Sequence, residues 1–69
     1  MKEKLAHLVT RWDARQSSRP DHNPYALGQY LAAVDTVTEK IAAGMSPERA
    51  IDFVFSGRLA AYLLKNIQP

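Results

Sequence analysis

The sequence predicts an all-α protein, a compact three- to four-helix bundle around one long central helix. Three observations predict it. Apolar residues from Leu27 to Ile41 recur at spacings of three and four, the period of one helix face. Two boundary signals, Asn23-Pro24 and Gly44-Met45-Ser46-Pro47, bracket that run. No segment alternates apolar and polar residues as a half-buried strand would, and Phe53-Val54-Phe55 is too short to outweigh the helical start before it.

The first helix is expected over about residues 2–16. Leu5, Leu8, Val9 and Trp12 form its apolar face, with charged residues around the rest. Its start has no capping side chain, and two lysines stand where the helix dipole prefers anions, so its first turn should fray. Trp12, the largest apolar side chain, reads as a core anchor with its indole N–H at a polar edge. Residues 17–22, Ser-Ser-Arg-Pro-Asp-His, then form a loop short enough to fold the first helix back on the next.

The central helix is expected over about residues 24–43. Asn23 is read as its cap and Pro24 as its first residue, where a missing N–H costs nothing. Leu27, Tyr30, Val34, Val37 and Ile41 make its stripe, widened by Leu31. Gly44 ends it, because glycine accepts the left-handed backbone without steric cost. Ser46 caps a third helix at about 47–55, with Pro47 in its first position and Glu48 in its first turn. Ile51, Val54 and Phe55 form one face of that helix, and Phe53 points elsewhere. A fourth helix, about 57–66, follows a break at Ser56-Gly57, with Ser56 read as its cap. One kinked helix over 47–66 is the competing possibility. Glycine costs about 1 kcal/mol inside a helix, which favours the break.

Sixty-nine residues make a single domain, 1–69, close to the lower size limit for folding without staples. There is no cysteine, so disulfides and thiolate metal sites are excluded. Neither His7 nor His22 has a histidine or carboxylate at ligand spacing on one helix face, and no metal or cofactor is expected. Gly-x-Ser-x-Gly, phosphate-loop and His-Glu-x-x-His patterns are absent from the sequence. Asp35 and Glu39 read as a solvated polar face. The chain is therefore not expected to be an enzyme; a site built around His22 is the weakest of the alternatives. No transmembrane span or signal peptide is evident, and a cytoplasmic protein is expected.

Net charge is +2, with nine Lys/Arg and seven Asp/Glu and no dense basic run. A helix-turn-helix fails at both glycines: Gly57 puts Phe53, and Gly44 puts Lys40, where a small residue is needed. Arg11, Arg15 and Arg19 recur every four residues and could make a modest phosphate footprint, although Asp13 and Asp21 dilute it. The expected function is a small non-enzymatic protein-interaction module (an adaptor, inhibitor or regulator) acting as a homodimer. The surplus apolar surface of the last two helices supports this, with Phe53, Tyr62, Leu63, Leu64 and Ile67 as candidate interface residues. The alternative is a weak nucleic-acid-binding or transcription-associated protein using the arginine row.

Overall fold

The computed structural model describes residues 1–67 and contains four helices: α1 (Lys2–Gln16), α2 (Ala26–Ala42), α3 (Pro47–Val54) and α4 (Gly57–Ile67). They make a small all-α bundle, with no strand among the described residues. α2 is the longest, and α1 and α3 pack on it. α4 closes the bundle from the other side, packing on α1 and α3. Each helix therefore touches two others, and the core lies inside a ring about 39 Å long and 20 Å across.

That core is one cluster. Leu5, Val9, Val34, Val37, Ala50, Ile51 and Leu63 are sealed from solvent, with Leu8, Phe55, Leu59 and Ala60 nearly so. No polar or charged side chain is buried with them among the described residues, so little polar desolvation offsets the gain from apolar burial.

The α2–α3 connection follows the sequence closely. Gly44 takes φ 109°, its N–H donates to the Ile41 carbonyl and the Met45 N–H to the Lys40 carbonyl, both at 3.0 Å. This pair of bonds satisfies the last carbonyls of α2 in the Schellman arrangement. Two residues later the Ser46 hydroxyl accepts the Arg49 N–H at 3.3 Å, and Pro47 opens α3. Phe55 is extended (φ −101°, ψ 162°) and Gly57 takes φ 63°, so α3 and α4 are two helices rather than one kinked helix.

The start of α2 and the cap of α4 differ from expectation. α2 begins at Ala26, not Pro24. The Asn23 carboxamide oxygen does accept a backbone N–H, from Tyr25 at 2.9 Å, but the Asn23 carbonyl takes the Ala26 N–H at 3.1 Å. That i→i+3 closure makes a tight turn first, and the regular ladder starts only with Gln29 N–H on the Tyr25 carbonyl. At α4, Ser56 contributes its backbone carbonyl, which accepts the Ala60 N–H at 3.4 Å, and the break itself is made by extended Phe55 and left-handed Gly57.

Candidate functional site

The outer side of α3 holds the most open large apolar side chain of the second half of the described residues. Phe53 is 69% exposed, because Ala50, Ile51 and Phe55 turn inward and leave it on the opposite side of a helix only eight residues long. The Lys40 ammonium lies 5.0 Å from its ring centroid, a cation–π contact that tethers the ring across the α2–α3 corner. Two shallow hollows flank it. The larger, about 590 Å³, is lined by Lys40, Ala43, Gly44, Met45, Ser46 and Arg49. The smaller, about 160 Å³, lies between Met45, Arg49, Asp52 and Phe53. An apolar centre of Phe53 and Met45 thus sits among charges of both signs.

The other candidate interface residues are largely absorbed by the fold. Leu63 is fully buried and belongs to the core, not to an interface. Tyr62, Leu64 and Ile67 are half-buried and pack against that core. The reason is that α1 and α3 both cover α4, which takes up the surplus apolar surface expected there. Tyr62 meets half-buried Trp12, with ring centroids 5.3 Å apart and planes tilted by 46°, so Trp12 is a core anchor as expected.

The arginine row is divided. Arg11, Arg15 and Arg19 are all exposed, but Arg15 lies over the Tyr62 ring at 5.7 Å, on the α4 side. Arg19 lies past the end of α1 and lines a different recess, of about 220 Å³, with Asp13, Gln16, Asp21, His22, Asn23, Ala26 and Tyr30. Within that recess His22 Nε2 and Asp13 Oδ1 are 2.9 Å apart, and both side chains are more than four-fifths buried. Sequence reasoning missed this pair. The signal was the proline turn at Pro20, which folds the loop back so that His22 reaches the last turns of α1.

A carboxylate against Nε2 fixes the orientation of the ring. The recess lining includes no serine, threonine or cysteine to serve as a nucleophile beside it. The pair ties the loop to α1. His7 is exposed, and no cluster of three or more His, Cys, Asp or Glu suited to a metal occurs among the described residues. Asp35 is exposed and meets Lys2 at 3.0 Å, as expected of a solvated face. No helix among the described residues is long and apolar enough to cross a membrane. No protein-family model matches the chain, and no curated protein or solved structure resembles it significantly.

Proposed function

We propose that this chain is a small non-enzymatic interaction module that pairs with a second copy of itself through the outer face of α3. The observation that carries the reading is Phe53, 69% exposed in a fold small enough to need every large apolar side chain it has. A two-fold axis beside Phe53 would let the same patch cover itself. The surrounding charges suit that axis. Arg49 and Asp52 both line the hollow next to Phe53, so two antiparallel copies can set each cation against the other copy's carboxylate.

α3 is about 12 Å long at 1.5 Å per residue, so the contact is small and belongs with modest, reversible associations. Such a dimer suits an adaptor, inhibitor or regulator, and the lack of cysteine suits the reducing cytoplasm. Light scattering of the purified chain at micromolar concentration tests the reading. Twice the chain mass is expected, falling to the monomer mass in Phe53→Glu with an unchanged helical circular dichroism spectrum. A monodisperse monomer at high concentration would contradict it.

A further inference from the structure

The seam between α1 and α4 gathers positive charge from two helices. Contacts fix how α1 is rotated. Lys2 pairs with Asp35, and Asp13 with His22, so those residues mark the flank facing α2 and its loop. Arg15 lies over Tyr62 and marks the flank facing α4. Lys4, Leu8, Arg11 and Arg15 follow at spacings of four, three and four, one stripe of a helix. Leu8 is buried within that stripe, and the three cations are exposed.

On α4, Tyr62 marks the flank facing α1. Arg58 lies four residues before it and Lys65 three after, both exposed and on the same flank. α4 has no acidic residue, and neither does the α1 stripe. Five of the nine cations thus line one seam, leaving four among all seven carboxylates on the rest of the molecule. Asp13, which dilutes the arginine row in the linear sequence, is turned to His22 on the opposite flank.

We infer that this seam binds the phosphodiester backbone of nucleic acid, without reading base sequence. The inference does not rest on dimerisation through α3. Three of the five cations are arginines, whose planar forks match phosphate oxygens in pairs. From Lys4 to Arg15 the α1 row extends about 16 Å, enough to meet several successive phosphates rather than one small anion. Tyr62 is half-buried against Trp12 and roofed by Arg15, so its ring is not free to stack on a base. A membrane surface fits less well. Of the four open large apolar side chains among the described residues, Tyr25, Leu31 and Phe53 lie away from the seam, and Met1 only precedes α1.

Fluorescence anisotropy of the full chain with labelled duplex DNA, duplex RNA and single-stranded RNA tests this, with vesicles of one-third phosphatidylserine as a separate arm. For about four phosphate contacts, duplex affinity should fall on the order of 100-fold between about 50 and about 200 mM salt. Arg11→Gln/Arg15→Gln/Arg58→Gln should weaken binding at least tenfold at low salt, and Lys2→Gln/Arg19→Gln, which removes charge from the α2 flank and the loop, should leave it within twofold. Circular dichroism establishes that both variants fold. A preference among the three nucleic acids would support the inference and identify the source of the backbone. Absence of binding at low salt, equal losses in the two variants, or binding to vesicles alone would overturn it.

Discussion

α3 and α4 look alike in the sequence, since both carry apolar side chains over more of their circumference than one neighbour can cover. In the folded chain they part. α4 lies between α1 and α3, and Leu59, Ala60 and Leu63 vanish into the core while Tyr62, Leu64 and Ile67 fill its margins. α3 spends its inward face on Ala50 and Ile51, and Phe53, met by Lys40 alone across the corner, stays 69% exposed. The width of an apolar face states how much must be covered. It does not state which neighbour arrives to cover it.

The largest effects should come from breaking the covered side. Val34→Asp should unfold the domain, because an unpaired carboxylate would enter a core where Val34 is only 1% exposed. Loss of the cooperative melt in circular dichroism is expected; a wild-type melt would show that α2 is wrongly registered. Next comes the corner joining α2 to α3. Gly44→Val should cost about 1–3 kcal/mol in denaturant unfolding. An added Cβ at Gly44 meets nothing within 4 Å, so the penalty comes chiefly from forcing a β-branched residue to φ 109°.

Smaller effects sharpen the contrast. Ser46→Ala should cost about 1 kcal/mol by removing the acceptor of the Arg49 N–H. His22→Ala should cost a similar amount, about 1 kcal/mol, for the lost bond to partly buried Asp13. If His22→Ala melts like the wild type, the pair contributes nothing to holding the loop on α1. Lys2→Ala should change stability by less than about 0.5 kcal/mol, since both partners of its ion pair are more than half exposed.

These outcomes also mark what the sequence could convey. Four helices, the Gly44 stop, the Ser46-Pro47 start and the break before Gly57 were legible because each depends on residues within one turn of the boundary. The stripe of α2 was legible too, and Val34 and Val37 are buried as its spacing requires. The start of α2 was misplaced by two residues, because Asn23 and Pro24 suit a tight turn as well as a helix cap. Which residues stay open was harder to read. Leu63 and Phe53 are both large and apolar, and only the packing of α1 on α4, distant in sequence, separates them. The division of the arginines has the same origin. A spacing of four suggested one row, but the helix ends at Gln16, and Arg19 leaves with the loop.

α4's apolar excess packs into the monomer's own core, whereas the proposed homodimer rests on the excess of α3. Thermal melting of the wild type, Leu63→Ala and Phe53→Ala over a hundredfold range of protein concentration separates the two directly. Leu63→Ala should lose about 2–5 kcal/mol, roughly 10 °C or more in Tm, at every concentration. The wild-type Tm should rise with concentration, as for any fold stabilised by association. Phe53→Ala should match the wild type when dilute and fail to rise when concentrated. A wild-type Tm independent of concentration, or a Phe53→Ala variant as unstable as Leu63→Ala in dilute solution, would contradict the account.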